Sequence, residues 1–168
     1  MNRLRRLLLC GCVALAGACT NALDDSSNSV DLNGAGAGLA GSASDPTSVA
    51  YFQEAIGDRV LFAVDQSTLS DAAMAVLDAQ AVWLQQNADY SAVIEGHADE
   101  QGTREYNLAL GARRANAARE YLVSRGVAGN RLKVVSYGKE RPIEICSDEN
   151  CYEKNRRAVT VLSGALTG

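Results

Sequence analysis

The order of hydrophobic and polar positions divides the chain into three parts. Arg3, Arg5 and Arg6 precede an apolar run from Leu7 to Ala18. A basic head followed by an apolar stretch of this length has the form of a signal peptide over residues 1–18, and it falls short of the roughly 20 apolar residues that a membrane span takes. From Thr20 to Ser48 no apolar periodicity is present, and Ser, Gly, Ala, Asn and Asp dominate, as in Asp24-Asp25-Ser26-Ser27-Asn28 and Gly34-Ala35-Gly36-Ala37-Gly38. Little apolar surface exists there to offset the entropy of ordering, so residues 19–48 read as a flexible linker. Such a coil averages about 30 Å end to end and reaches roughly 100 Å at full stretch. Periodic patterns begin at Val49, and residues 49–168 suffice for one domain with a real core.

Within that domain the pattern predicts a short helix around Val49 to Ile56 and a strand over Arg59-Val60-Leu61-Phe62-Ala63-Val64, which is β-branched and aromatic in character. Ser70 offers an N-cap to a helix whose Met74, Leu77, Ala81 and Leu84 recur at helical spacing up to Gln86. Ser91 to His97 reads as a second strand. A polar loop then leads into a long helix from Arg104 to Arg125, ended by Gly126 at the C′ position. Leu132 to Ser136 and Arg157 to Leu162 read as the third and fourth strands, with Ser147-Asp148-Glu149-Asn150 as a turn between them. This β-α-β-α-β-β order predicts an α/β fold, an α+β sandwich with helices packed on one side of a mixed four-stranded sheet.

Composition narrows the class of protein. The 168 residues are 47% hydrophobic and 21% charged, which excludes a disordered acidic tail, a collagen-like fibre and a small disulfide scaffold. The formal charge of −4 argues against nucleic acid as a partner, because a phosphate backbone calls for a concentrated basic surface. Loss of residues 1–18 removes three arginines and no acid, so 16 basic against 20 acidic residues become 13 against 20, or −7. A polybasic membrane anchor is therefore not expected.

The cysteine count is five, an odd number for an exported chain. Leu15-Ala16-Gly17-Ala18-Cys19 resembles the lipobox of bacterial lipoproteins, in which a peptidase cleaves before a cysteine that carries lipid. Leu15 stands one place earlier than the usual pattern has it. Cys12 offers a rival lipobox but leaves an apolar region of about five residues, below what a signal peptide needs. A cleaved secretory signal with a free Cys19 is the other alternative. The lipobox resemblance implies a covalent diacylglycerol and an N-acyl lipid on Cys19, more than one chain being needed for stable attachment. Thr20 stands where inner-membrane lipoproteins carry Asp, which implies the outer membrane. Cys10 and Cys12 leave with the signal peptide. Cys146 and Cys151, with four residues between them in a turn-rich stretch, can close a small disulfide loop in an oxidising periplasm, the alternative being two reduced, buried thiols.

Candidate chemistry concentrates between Glu95 and Ala115. At about 100° per residue, Asn107 and Arg114 lie within about 20° of each other on the long helix and Leu110 about 60° away. Leu108, Ala112, Ala115 and Leu122 form a different stripe, roughly 100° round, which reads as the core face, with Arg119 snorkelling from it. Asp99, between a strand and this helix, is placed to present its carboxylate beside the polar face. A guanidinium grips a carboxylate bidentately and a carboxylate grips an ammonium, so Asp99, Asn107, Leu110 and Arg114 have the make-up of a receptor for a zwitterion. The same spacing equally suits a structural salt bridge between Asp99 and Arg114.

This stretch, with Val60-Leu61-Phe62-Ala63-Val64-Asp65 before it and Ser136-Tyr137-Gly138-Lys139-Glu140-Arg141-Pro142 and Asn155-Arg156-Arg157-Ala158-Val159 after it, closely resembles the OmpA-like C-terminal domain family over Arg59 to Leu162. The resemblance implies an OmpA-like fold and non-covalent binding of the peptidoglycan stem peptide, chiefly its diaminopimelate. The family's binding positions fall on Asp65, Asp99, Asn107, Leu110 and Arg114. Ala63 and Val64 replace residues that are often acidic or aromatic in relatives. Lipid-anchored members imply further partners, TolB and other Tol proteins, on an overlapping surface, and a periplasm-facing domain that links outer membrane to cell wall in envelope integrity and cell division. Stator and porin members of the family need a transmembrane helix or an upstream barrel, which the stretch ahead of the domain does not hold.

An enzyme is the rival reading. Glu95 and His97 share a strand face, with Asp99 and Glu100 near them, and these groups suggest acid–base or metal chemistry. Yet the chain has a single His and lacks metal-ligand spacings, a nucleophile elbow and a phosphate loop. The expectation is no enzyme, no metal and no cofactor beyond the lipid, with His97 supporting its loop by hydrogen bonding.

Overall fold

The computed structural model describes residues 41–145 and 147–164. The signal peptide, Cys19 and its rival Cys12, the linker up to residue 40, and Cys146 lie outside the described residues.

A helical entry, α1 (Val49–Tyr51), widens into a π-helical turn over Phe52–Gly57. It is followed by β1 (Arg59–Leu61), α2 (Asp71–Gln86), β2 (Ser91–His97) and α3 (Arg104–Ser124). A 3-10 turn over Gly129–Arg131 then leads to β3 (Leu132–Gly138), α4 (Glu149–Asn155) and β4 (Arg157–Ser163). The sheet order is β1-β4-β2-β3. β2 and β3 are parallel, joined through α3 as a crossover, and β4 lies antiparallel between β1 and β2. This is the mixed four-stranded sheet that the alternation of patterns predicts.

Strand alternation supplies the core. Val60, Ala92, Ile94 and Ala158 point to the same side as Leu77 and Leu84 of α2 and Ala115 and Leu122 of α3, in one buried cluster. Each large aliphatic side chain withdrawn in this way contributes about 1.5–3 kcal/mol. A buried polar bridge crosses the cluster: Thr160 Oγ1 on β4 bonds Gln80 Oε1 on α2 at 2.7 Å, and Gln80 Nε2 donates to the Gly57 carbonyl at 2.7 Å. Gln80 therefore leaves neither polar atom unpaired.

Helix ends follow the capping signals in the sequence. The Ser70 side chain accepts from Ala73 N, and Thr103 accepts from Tyr106 N. At the other end of α3, Gly126 takes φ 97°. Gly126 N then donates to Val123 O at 2.9 Å and Val127 N to Leu122 O at 3.1 Å, the paired bonds that close a helix through a left-handed glycine.

Three boundaries differ from the sequence expectation. β1 stops at Leu61 instead of Val64, because the Ala63 carbonyl is taken by Arg114 Nη2 at 3.1 Å and the chain turns, Gln66 N donating to Ala63 O at 3.2 Å. The turn expected at Ser147–Asn150 opens α4, with the Asp148 side chain accepting from Asn150 N and Cys151 N. The end of the expected linker also joins the domain: Trp83 Nε1 donates to Pro46 O at 2.7 Å, Tyr90 hydroxyl to Thr47 O at 3.1 Å, and Ser48 Oγ to Ser42 O at 2.5 Å. Trp83 is itself wedged between Phe52 and Tyr90, with ring centroids 4.9 and 5.1 Å away.

Candidate functional site

α3 lies unusually close to β2, and two glycines are the reason. A Cβ added to Gly96 would come within 1.8 Å of the Gly111 carbonyl oxygen, and one added to Gly111 within 2.8 Å of the Gly96 oxygen. This contact sets which side of α3 faces inward. Asn107, Leu110, Gly111, Arg114, Ala115, Ala118 and Leu122 are buried. Leu108, expected in the core stripe, is 43% exposed, and Ala112 is only half-buried. The expected separation of a binding face from a core face is therefore corrected. One inward face is polar near the helix N-terminus and apolar further along.

β2 ends at His97, where Ala98 N still bonds Gly138 O at 2.8 Å, and Asp99 then leaves the sheet. Gly102 (φ 89°) turns the chain into the N-cap at Thr103. Asn107, 1% exposed, holds this loop by donating its Nδ2 to the Gln101 carbonyl at 2.7 Å. Facing it, Asp65 adopts φ 56° and accepts a hydrogen bond from the Tyr106 hydroxyl. Between the two loops lies a cavity of about 210 Å³. Asp65, Asp99, Asn107 and Leu110 line it, four of the five residues expected at the site, and Val64, Gln101, Gly102 and Tyr106 complete the wall. A larger cavity of about 450 Å³ between β1 and the start of α2 is mainly apolar, with Val60, Leu61, Ala73, Val76 and Ile143 around it. Its basic residues, Arg59 and Lys154, are paired with Asp58 and Glu144.

Arg114 sits behind the smaller cavity, 0% exposed. Nε donates to Gln66 O at 2.8 Å, Nη1 to His97 O at 2.9 Å and Nη2 to Ala63 O at 3.1 Å, while the guanidinium lies 5.3 Å from the Phe62 ring centroid. The side chain thus laces the Asp65 loop to the end of β2. Burial pulls its pKa down to about 10, with Asp99 opposing the fall and Arg156 adding to it, so it stays charged at neutral pH.

The ion pair of Asp99 is made with Arg156 at 3.3 Å, not with Arg114. Asp99 Oδ1 also accepts from Gln101 N at 3.3 Å. Two buried guanidinium groups therefore stand behind a cavity whose wall carries the carboxylates of Asp65 and Asp99. Negative groups in front of positive ones suit a ligand that bears both an ammonium and a carboxylate.

His97 supports the loop differently from the expectation. Its main-chain carbonyl is the acceptor for Arg114, while both ring nitrogens are buried without a hydrogen-bond partner. The ring lies 5.5 Å from that of Tyr137, and Nε2 is 3.7 Å from the Glu95 carboxylate. Burial, with the positive charges of Arg157 and Arg141, lowers its pKa to about 4, so at neutral pH it is uncharged. Among the described residues no three His, Cys, Asp or Glu side chains gather to hold a metal, and no helix is long and apolar enough to cross a membrane.

Comparison with known proteins bears on this arrangement directly. The model of the OmpA family matches residues 61–156, a span that contains every residue of the cavity wall. The chain belongs to the OmpA family. The peptidoglycan-associated lipoprotein of Mesorhizobium japonicum is 52% identical over 159 residues, covering 95% of this chain and 91% of its own. That of Haemophilus influenzae is 39% identical over 160 residues, covering 95% and 98%. The crystal structure of the peptidoglycan-associated lipoprotein from Burkholderia pseudomallei superimposes with a TM-score of 0.64 at 37% identity, over 71% of this chain and 97% of that one. The C-terminal domain of Helicobacter pylori MotB, at 22% identity and a TM-score of 0.61 over 65% and 86% of the two chains, shares the fold. Family membership bears out the OmpA-like fold and the non-enzymatic reading.

Sequence reasoning did not assign Tyr106, Gln101 or Arg156 to the site. Tyr106 precedes Leu110 by one helical turn, a spacing that points it toward the same wall. Arg156 gives no such local sign, since its contacts to Phe62 and Asp99 come from distant parts of the chain.

Proposed function

We propose that this domain binds peptidoglycan non-covalently, taking the diaminopimelate of the stem peptide into the cavity between Asp65 and Asp99. The supporting observation is the placement of two wall carboxylates, Asp65 and Asp99, near the buried guanidinium groups of Arg114 and Arg156, the second of which pairs with Asp99. The side chain of diaminopimelate ends in an amino-acid group, whose ammonium matches Asp65 and Asp99 and whose carboxylate matches the positive charge behind them. Arg114 has five N–H donors, of which backbone carbonyls take three, and Asn107 and Leu110 shape the floor. Joined to lipid on Cys19, the domain links the outer membrane to the cell wall from the periplasmic side and supports envelope integrity and cell division. Individual contacts of this kind suffice when weak, because many copies on one membrane face one covalent polymer. TolB and other Tol proteins are the protein partners in this reading, competing for the surface from Asp99 to Arg114.

Co-sedimentation with purified sacculi tests it. The unsubstituted chain pellets with sacculi, and Asp99→Ala and Arg114→Ala variants that retain the far-UV circular dichroism of the parent stay in the supernatant. Undiminished pelleting of the folded variants removes the site assignment. If sacculi fail to reduce TolB binding, exclusive occupancy of one surface is wrong.

A further inference from the structure

Asp99 is only 7% exposed, and a carboxylate in that position needs a counter-charge and hydrogen bonds. Arg156, the residue between α4 and β4, supplies the charge. Its three nitrogens reach three parts of the fold: Nε donates to Phe62 O at 3.1 Å, Nη1 to Asp99 Oδ2 at 3.3 Å, and Nη2 to the Glu149 carboxylate at the start of α4. The backbone of Arg156 is fixed as well, since its carbonyl accepts from Phe62 N at 2.9 Å and its N–H donates to Tyr152 O at 3.0 Å.

The preceding residue extends the clamp. Asn155, 0% exposed, donates Nδ2 to Glu100 Oε1 at 2.9 Å and to Glu144 O at 2.9 Å, while its Oδ1 accepts from Ile143 N at 2.8 Å. Two consecutive residues thus fasten Asp99 and Glu100 to α4, and α4 itself carries the disulfide-bonded Cys151. Arg114 makes no equivalent contact, its three nitrogens being committed to the carbonyls of Gln66, His97 and Ala63.

We propose that Arg156 is the positioning residue of the cavity: it holds the Asp99 carboxylate in the one orientation that meets the ligand, without lining the cavity itself. Removing its charge leaves a buried carboxylate without its cation, free to turn about χ2 toward water. α4, although outside the cavity, thereby becomes part of what defines it. This role rests on the peptidoglycan reading above.

A double-mutant cycle on the full chain separates this role from a merely structural one, with binding of a purified diaminopimelate-containing disaccharide-tripeptide followed by calorimetry. Arg156→Gln is expected to weaken binding about tenfold, within the coupling range of residues that share one network. In an Asp99→Asn background the same substitution is expected to change affinity by less than about twofold, because the carboxylate it acts through is gone. Arg156→Lys, which keeps the charge and one donor, is expected to recover part of the loss, and it takes the place of Arg156→Gln in the cycle if the latter does not fold. An equal loss in both backgrounds, or no loss in the folded single variant, overturns the assignment of Arg156 while leaving the peptidoglycan reading intact. Failure of the unsubstituted chain to bind the muropeptide overturns both.

Discussion

Gly96 of β2 and Gly111 of α3 meet backbone to backbone, so near that the Cβ of an alanine at position 96 would stand 1.8 Å from the Gly111 oxygen. No side-chain motion relieves a clash with a carbonyl, so the helix itself must move. Gly96→Ala is expected to cost about 3 kcal/mol or more, at the upper end of overpacking effects, and to draw α3 away from the Asp99 loop. Urea unfolding measures the first effect and sacculus co-sedimentation the second. An unchanged midpoint refutes the close approach.

Arg114 and the Asp65 loop form the next test. The guanidinium satisfies the carbonyls of Ala63 and Gln66 on either side of Asp65, whose φ of 56° is an uncommon conformation for a residue with a side chain. Arg114→Met removes all three bonds while keeping much of the stem; the Ala63 carbonyl keeps its bond from Gln66 N, and a buried acceptor left unpaired, as at His97 O, costs about 1–3 kcal/mol. Faster amide exchange at residues 63–66 than at Ser91–His97 is the expected signature. Uniform loosening of the whole domain would mean that Arg114 is a general core residue and not the lace of that loop.

His97 gives the domain an acid limb. Its pKa is about 4 in the folded chain and 6.5 in an ordinary environment, so between these values the unfolded chain binds the extra proton. Stability attributable to His97 is therefore complete above pH 6.5 and declines as the pH falls toward 4, by roughly 3 kcal/mol in all. His97→Gln is expected to flatten the stability profile over this interval relative to the parent. A variant whose slope matches the parent throughout would show that His97 does not titrate as its burial beside Arg157 and Arg141 requires.

Cys151 is disulfide-bonded, and Cys146 is the partner we propose from their spacing. Intact mass before and after alkylation of unreduced protein decides the matter. Neither position gains mass if the bridge is present, and alkylation at both rules it out.

Local signals in the chain foretold much of this structure. The cap at Ser70 and the glycine after α3 depend on neighbours only a few residues away, and the helix and strand patterns they bound appear close to where they were expected. Hydrophobic counting misjudged the rotation of α3, because Leu108 looks like core while Arg114 and Gly111 do not. A guanidinium that meets three carbonyls buries at little cost, and a glycine marks closest approach by what it lacks. α4 had an N-cap signal in Asp148, but its seven residues are too few for a periodicity to register. The grouping of Asn107, Leu110 and Arg114 was legible because helical spacing is a local property. The pairing of Asp99 with Arg156 was not, since only the β1-β4-β2 order brings those residues together.

The position of β2 also has a mechanical meaning. At its start, Tyr90 and the adjoining Trp83 hold the carbonyls of Thr47 and Pro46 ahead of α1, and at its far end the chain passes directly into Asp99. In the function proposed above, tension between a membrane anchor and a wall ligand would load this seven-residue strand, about 23 Å long. β2 is flanked on one side by β4 and on the other by β3, and a pull along its axis loads both ladders in shear. Hydrogen bonds loaded in that direction yield together rather than one after another, so a strand that the sheet holds from both sides is suited to such a load.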